Sequence, residues 1–299
     1  MAGDISNILV STEPTILTTG WGRTEGPVWH PEGYLTFVDL EGSRLLRWDD
    51  NGQVSVVRQD TGEGNGCTLD RQGRLIMCEG ADHRRVTRLE PDGSVTTLAE
   101  AWQGKRFSKP NDVIVRSDGT IYFTDPGLRL PQEQREIDFS GVFRIDQQGA
   151  VHLATDECEY PNGLALSPDE SVLYVSISRL DERCFEEDQL GAVCHHRKIR
   201  AFDVAPDGTL SNNRVFCDMS SADPGVPDGM KVDAQGRVFC VGSGGFWIIE
   251  PSGEVVGVMP TAEVTRNLAF GGPDFRTLYM TPGSSLWKME LKTPGIGTF

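Results

Sequence analysis

The stretch NGCTLDRQGRLIMC at residues 65–78 decides the fold that we predict for this chain. An apolar run leads into the turn signal Gln72-Gly73, and a second apolar run follows directly. Short apolar runs that flank a glycine turn are typical of a β-hairpin. Two further runs, at residues 85–89 and 94–98, are separated by another glycine turn. The unit therefore predicts four short antiparallel strands.

The same unit recurs along the chain, and each copy has an oxygen-bearing side chain seven positions before its turn. These six side chains are Glu25, Asn65, Asn111, Asn162, Asp228 and Asn267. The turns are 40, 46, 51, 66 and 39 residues apart, which is typical of propeller blades. We therefore predict an all-β protein, a six-bladed β-propeller with four-stranded antiparallel blades, formed as a single domain over residues 1–299.

The last repeat contains only three strand-like runs before the chain ends, at residues 268–270, 277–280 and 286–290. An open fourth position would leave an unpaired sheet edge. The run Thr15-Ile16-Leu17-Thr18 precedes the first repeat and has strand character. We therefore predict that an N-terminal strand completes the last blade.

The composition of the chain argues against several classes of partner and location. The net charge of −16 argues against nucleic acid and anionic membranes as partners. No apolar run reaches membrane-spanning length, and residues 1–13 lack the pattern of a signal peptide. We predict a cytoplasmic protein with reduced cysteines, of which Cys67, Cys78, Cys217 and Cys240 are buried in or beside strands. A disulfide or metal site among Cys184, Cys194, His195 and His196 is the less favoured alternative.

One polar side chain at the same point of every blade builds a ring of oxygens at the central channel. Such a ring suits a hard cation, and its two carboxylates, Glu25 and Asp228, balance one divalent ion. The absence of His and Cys from the ring argues against a site selective for zinc, although Zn²⁺, Mn²⁺ and Mg²⁺ are possible ions. A competing interpretation is that Asn and Asp simply turn the chain before each first strand. It accounts equally well for Asn65 and Asn267, but poorly for Glu25.

We predict that each ring residue precedes the first strand of its unit, so the loops that follow the second strands should lie on the same face of the propeller as the ring. They contain Glu79 and Asp125, which we predict as substrate contacts, with Asp125 also a candidate base. The long loops at residues 125–140 and 178–197 would roof the channel mouth and select the substrate. Asp125 could instead serve the turn Asp125-Pro126-Gly127.

Five motifs in register with the repeat resemble the senescence-marker-protein, gluconolactonase and regucalcin-like family of six-bladed propellers. They are Glu25-Gly26-Pro27, Pro110-Asn111-Asp112, Pro161-Asn162-Gly163-Leu164, Pro227-Asp228-Gly229 and the run at residues 267–272. The resemblance implies one divalent cation, often calcium, held by Glu25, Asn162 and Asp228. It implies that Asn111 is a further ligand or a substrate contact. Lys109 stands where family members with an Arg use it to contact substrate.

The resemblance, together with the ring of oxygens, implies a metal-dependent lactonase that acts on a small sugar lactone or aldonolactone. The cation would polarise the lactone carbonyl while a carboxylate takes a proton from the attacking water. Asp228 is the preferred base and Glu25 the second choice. The alternatives are a phosphotriesterase-like hydrolase on the same scaffold and a non-catalytic calcium-binding propeller. No obligatory protein partner is evident.

Overall fold

The computed structural model of the chain describes residues 4–80, 83–127, 130–178 and 197–297. Within these ranges six four-stranded antiparallel sheets follow one another, each formed by a consecutive part of the chain except the last. The first strands of successive sheets contact one another in order around a closed ring. The predicted six-bladed β-propeller is confirmed.

The first half of the chain forms three blades. A short 3₁₀ turn at Ile5–Asn7 precedes strand β1 (Thr15–Thr19). Blade one contains β2 (Thr24–His30), β3 (Tyr34–Asp39), β4 (Arg44–Asp49) and β5 (Val54–Gln59). Blade two contains β6 (Gly64–Leu69), β7 (Leu75–Glu79), β8 (Arg85–Leu89) and β9 (Val95–Ala99). A small hairpin follows, made of β10 (Ala101–Trp102) and β11 (Lys105–Arg106). Blade three contains β12 (Val113–Val115), β13 (Ile121–Asp125), β14 (Gly141–Ile145) and β15 (Val151–Thr155), with a 3₁₀ turn at Gln132–Gln134.

The second half forms the other three blades. Blade four contains β16 (Pro161–Leu166), β17 (Val172–Ile177), β18 (Lys198–Val204) and β19 (Leu210–Asp218). Blade five contains β20 (Met230–Val232), β21 (Val238–Gly242), β22 (Gly245–Ile249) and β23 (Val255–Pro260). Blade six contains β24 (Thr265–Gly271), β25 (Thr277–Pro282) and β26 (Ser285–Glu290).

Strand β1 completes blade six, as the sequence predicts. It pairs antiparallel with β26, so that Thr15 lies opposite Lys288 and Thr19 opposite Ser285. The two ends of the propeller are thus joined through one sheet, and the edge of β26 is covered.

The innermost strands differ from the prediction in one respect. Glu25, Asn65, Asn162 and Asn267 lie within their first strands, whereas we expected each to precede the strand. The pairing register shifts at each of these residues, which marks a β-bulge. The bulges leave Asn65-Gly66, Asn162-Gly163 and Arg266-Asn267 outside the ladder, and in blade one they leave out Gly26-Pro27, directly after the paired Glu25.

Apolar side chains fill the spaces between blades. Phe107, Phe123 and Phe143 pack edge-to-face or stacked at 5.0–5.7 Å between ring centroids. Trp29 of blade one stacks on Tyr279 of blade six at 5.5 Å, across the closure of the ring. Burial of such surface is the main stabilising contribution to the fold. It also fixes the first strands, and therefore the ring residues, relative to one another.

The predicted buried thiols are confirmed. Cys67, Cys78, Cys217 and Cys240 are free and buried, and Cys158 joins them. Burial raises the pKa of Cys217 to about 11, which keeps this thiol neutral and unreactive. The second group, Cys184, Cys194, His195 and His196, lies outside the described residues. In the part of the chain that the structure describes, no helix is long and apolar enough to cross a membrane.

Candidate metal centre and active site

The six ring residues are all buried, although each carries a polar side chain. They are Glu25, Asn65, Asn111, Asn162, Asp228 and Asn267. Buried polar groups are stable only when they find partners. Contacts between successive members therefore determine whether the six residues form one site.

The first three members are connected through the backbone. A Cβ placed on Gly26 would lie 2.2 Å from the carbonyl oxygen of Asn65, so the two segments touch. The amide of Gly66 donates to the carbonyl of Asn111 at 2.8 Å. These contacts place Glu25, Asn65 and Asn111 side by side on neighbouring blades.

The next steps continue the ring through hydroxyl groups. Asn111 donates its amide to the carbonyl of Thr124, whose hydroxyl donates to the carbonyl of Asn162 at 2.8 Å. The Ser176 hydroxyl accepts from the amide of Gly163 and donates to the carbonyl of Asp228. Asn111, Asn162 and Asp228 are therefore held in sequence by short polar bridges.

Asn267 closes the ring. The amide of Gly229 donates to the carbonyl of Arg266 at 2.8 Å, which ties blade five to blade six. The Asn267 side-chain nitrogen then donates to Glu25 Oε2 at 3.1 Å. Its side-chain oxygen accepts from the amide of Leu268. The structure thus brings all six predicted residues together, and it uses both polar side-chain atoms of Asn267 to hold Glu25 and the local backbone.

Glycine follows the ring residue in four of the six repeats, at Gly26, Gly66, Gly163 and Gly229. A Cβ on Gly163 would lie 2.2 Å from the carbonyl oxygen of Asp228. Real side chains do not approach a backbone oxygen so closely, so only glycine allows the first strands to pack at this distance. The glycines set the diameter of the ring.

Glu25 is a buried carboxylate of the ring. Burial, and to a smaller extent the nearby carboxylate of Asp112, raises its pKa above the ordinary value. The amide of Gly26 and the side chain of Asn267 both donate to Oε2, and Arg266 acts electrostatically in the same sense, so all three oppose the rise. A cation bound beside Glu25 would also favour the charged form. The carboxylate is therefore held in place by fixed donors on one oxygen.

The amide of Asn162 is oriented by a neighbour. Its nitrogen donates to the Ser178 hydroxyl at 2.6 Å, and Ser178 in turn donates to the carbonyl of Pro227. With the nitrogen turned toward Ser178, the side-chain oxygen is on the opposite side of the amide group. That orientation suits an oxygen ligand in the ring.

Asp112 is a second buried carboxylate beside the ring, and sequence reasoning gave it no role. Burial raises its pKa, and the charge of Lys231 acts in the opposite direction. One oxygen accepts from the amide of Val113 at 2.9 Å. The available sequence signal is positional: Asp112 stands directly after a ring residue, where four other repeats have glycine.

Lys109 lies at the ring face but is engaged. Its ammonium donates to Glu63 Oε2 at 2.5 Å, and its backbone amide donates to Asp125 at 2.6 Å. The side chain is 26% exposed. The interpretation of Lys109 as a substrate contact therefore requires the ion pair with Glu63 to open or to be shared.

Glu79 and Asp125 end the second strands of blades two and three and are fully buried. Asp125 accepts from the amides of Ser108 and Lys109, so it fixes the segment that leads to Asn111. Arg58 and Thr87 donate to Glu79 Oε1, while Arg85 donates to Oε2. These partners give both carboxylates a structural role and weigh against the predicted contact with substrate.

Replacing Glu79 with Gln should lower stability without affecting the ring. Burial alone would raise the pKa of Glu79, but the hydrogen bonds from Arg58, Arg85 and Thr87 lower it below the ordinary value. Its folded-state pKa is thus below the unfolded one, so this contribution is present above about pH 4.5 and is lost as the pH falls through the folded pKa. We expect Glu79→Gln to cost about 3 kcal/mol at neutral pH, measured by urea unfolding. An unchanged pH profile of stability below pH 4.5 would contradict this role.

The donor set of the ring fits a hard cation. Within the described residues no three His, Cys, Asp or Glu side chains form a metal-binding group. The ring instead combines two carboxylates with amide oxygens, which is calcium-type chemistry. Glu25, Asn162 and Asp228, with Asn111 next to them, are the residues that could hold the ion. Of the loop at residues 178–197, predicted to help select the substrate, residues 179–196 lie outside the described part of the chain.

The fold and this buried ring define a propeller with an oxygen-lined centre. The model of the SMP-30/gluconolactonase/LRE-like region matches residues 23–284, so the chain belongs to this family. A gluconolactonase of Zymomonas mobilis is 29% identical over 96% of this chain and 83% of that protein. A pentonolactonase of Haloferax volcanii is 30% identical over 90% of this chain and 84% of that protein.

A solved structure of a gluconolactonase from Xanthomonas campestris superposes with a TM-score of 0.80 at 34% identity. The match covers 92% of this chain and 88% of that one. The likeness therefore spans all six blades and is not confined to one part of the propeller.

Proposed function

We propose that this chain is a divalent-cation-dependent lactonase that opens a small sugar lactone or aldonolactone. The observation that carries the proposal is the closed, buried ring containing Glu25, Asn162 and Asp228. Two of the relatives described above are named for lactone hydrolysis, one on a gluconolactone and one on a pentonolactone. The proposed reaction follows those names, and the ring supplies a place for it.

Glu25, Asn162 and Asp228 would hold the cation, and Asn111 would complete its coordination or hydrogen-bond the substrate. Ca²⁺ is the preferred ion because every donor is an oxygen and only two are charged, while Zn²⁺, Mn²⁺ and Mg²⁺ remain alternatives. When bound, the cation supplies a Lewis acid that draws charge from the lactone carbonyl oxygen.

Asp228 is the better placed of the two ring carboxylates to accept a proton from the attacking water. Asp228 is 9% exposed, slightly more than Glu25 at 5%. Glu25 Oε2 already accepts from Gly26 and Asn267, which restrains this side chain as an anchor. A positioned base of this kind contributes about 10²–10⁴-fold to a rate.

Asn111 and Lys109 are expected to serve the substrate more than the fold. Asn111→Ala should lower turnover about 10²-fold, because the lactone would lose its orientation toward the water. Lys109→Ala should mainly raise KM, since the variant would no longer carry the Lys109 ammonium group at the mouth. Steady-state kinetics on folded protein separate the two effects. Equal losses of thermal stability and activity, with unchanged rates per folded molecule, would show that both residues only form the turn that leads into β12.

A lactone panel tests the proposed function. Proton release should accompany hydrolysis of gluconolactone, galactonolactone and pentonolactones, and a chelator should abolish it. A phosphotriester included in the panel addresses the phosphotriesterase-like alternative, which preferential phosphotriester hydrolysis would support. Bound calcium without hydrolysis of any lactone would favour the non-catalytic calcium-binding propeller. Location in the cytoplasm and action without a protein partner stay predictions.

A further inference from the structure

Arg266 occupies a position beside the ring that the proposed reaction has not used. It directly precedes Asn267 in β24, within the bulge between Thr265 and Leu268. Its carbonyl accepts from the amide of Gly229, the residue after Asp228. The backbone of Arg266 is therefore tied to both neighbouring members of the ring.

The guanidinium group of Arg266 lacks a partner among the described residues. Its Nε atom is shielded from solvent and has no hydrogen-bond acceptor there. Two other arginines with little exposed side chain are paired: Arg58 with Glu79 and Arg237 with Asp233, each at 2.6 Å. A guanidinium carries five donors in a fork that matches a carboxylate, and a donor that is shielded from solvent and lacks an acceptor costs free energy. The shielded Nε donor of Arg266 therefore points to a ligand.

The positive charge of Arg266 acts on Glu25 without a direct contact between the two side chains. It favours the ionised form of the Glu25 carboxylate. The hydrogen bonds to that carboxylate come from Gly26 and Asn267. Lys109, at the ring face, is already paired with Glu63. Of these two cations, Arg266 is the one without a paired carboxylate among the described residues.

Hydrolysis of a lactone creates the group that such a cation binds. Water adds its oxygen to the carbonyl carbon, the ester C–O bond of the ring breaks, and the ring oxygen takes a proton to become a hydroxyl. The acid that forms releases a proton and becomes a carboxylate. A neutral substrate therefore turns into an anion, and negative charge already develops on its oxygens in the transition state.

We propose that Arg266 binds the carboxylate of the opened product and, before that, the oxygens on which negative charge develops. This inference rests on the proposed lactonase function and names a residue that positions the reacting carboxyl group. Because a bound divalent cation is already balanced by the two ring carboxylates, a guanidinium beside the ring supplies the positive charge that pairs with an anionic product. Arg266 then sets a preference for ligands that carry a carboxylate over neutral polyols of the same length.

Calorimetric titration of the calcium-loaded protein with gluconate and with glucitol tests the proposal without turnover. Arg266→Met should weaken gluconate binding about 10- to 100-fold, the loss of a charge-assisted hydrogen bond, and leave glucitol binding unchanged. Arg144→Met is the matched control, since it removes one positive charge from β14 in another blade and should change neither affinity. Calcium content should stay equal to that of the unmodified protein in both variants.

Arg266→Gln provides a second neutral variant if Arg266→Met does not fold. In kinetics, both Arg266 variants should lower kcat/KM and weaken product inhibition. Gluconate affinity equal to the unmodified protein, or no gluconate binding by the unmodified protein, would overturn the inference. A protein that binds gluconate through Arg266 but hydrolyses no lactone would instead contradict the proposed function alone.

Discussion

Replacing Asp228 with Asn is expected to remove both the cation and the activity. The substitution keeps the shape of the side chain but deletes one of the two charges in the ring, so cation affinity should fall more than about 100-fold. It also deletes the proposed base, so turnover at saturating calcium should fall about 10²–10⁴-fold. Elemental analysis and kinetics with added calcium measure the two losses separately.

Glu25→Gln should also lose the cation but retain the base. Its turnover should therefore recover further than that of Asp228→Asn as calcium is raised. Asp118→Asn makes the same chemical change in a surface turn, where an amide oxygen can still accept from Thr120, and serves as the control. Calcium at normal stoichiometry in both ring variants would refute the assignment of the site.

Gly163→Ala is expected to lower both the stability of the propeller and the affinity of the ring for calcium. The added Cβ would lie 2.2 Å from the carbonyl oxygen of Asp228 and 2.9 Å from the Cα of Gly229. Because both neighbours are backbone atoms, two blades must separate, which should cost about 3 kcal/mol of unfolding free energy. The same displacement moves Asp228, so calcium affinity should fall as well. Urea unfolding and calcium titration measure these effects.

Gly119→Asn is the matched control for this prediction. A Cβ at Gly119 would meet no atom within 4 Å, and asparagine tolerates its positive φ of 94° better than most residues. Its stability should therefore change by less than about 1 kcal/mol. Equal effects in Gly163→Ala and Gly119→Asn would show that close packing at the ring does not matter.

The ring could be predicted from the sequence because the repeat fixes position. A constant spacing of seven residues between each polar residue and its turn places all six at equivalent points of their blades. Closure by Thr15–Thr19 followed from the missing fourth strand of blade six. Both inferences depend only on local spacing and on the need to pair every edge.

Side-chain partners could not be predicted in the same way, because they come from residues distant in sequence. Lys109 is paired with Glu63, 46 positions away, and Arg58 of blade one pairs with Glu79 of blade two. Asp125 and Glu79 looked like mouth residues because of their position after second strands, yet both point into polar networks. Arg266 could not be singled out from the sequence, because its distinguishing feature is a shielded Nε atom without an acceptor among the described residues.

Restoration of activity by calcium is the measurement that tests the account most directly. Protein stripped of metal should be folded and inactive toward the lactone that is hydrolysed fastest. Titration with calcium should restore hydrolysis in proportion to bound ion, with a plateau at one ion per chain, and Asp228→Asn should not respond. Full hydrolysis by metal-free protein, or a calcium-bound protein that opens no lactone, would contradict the account.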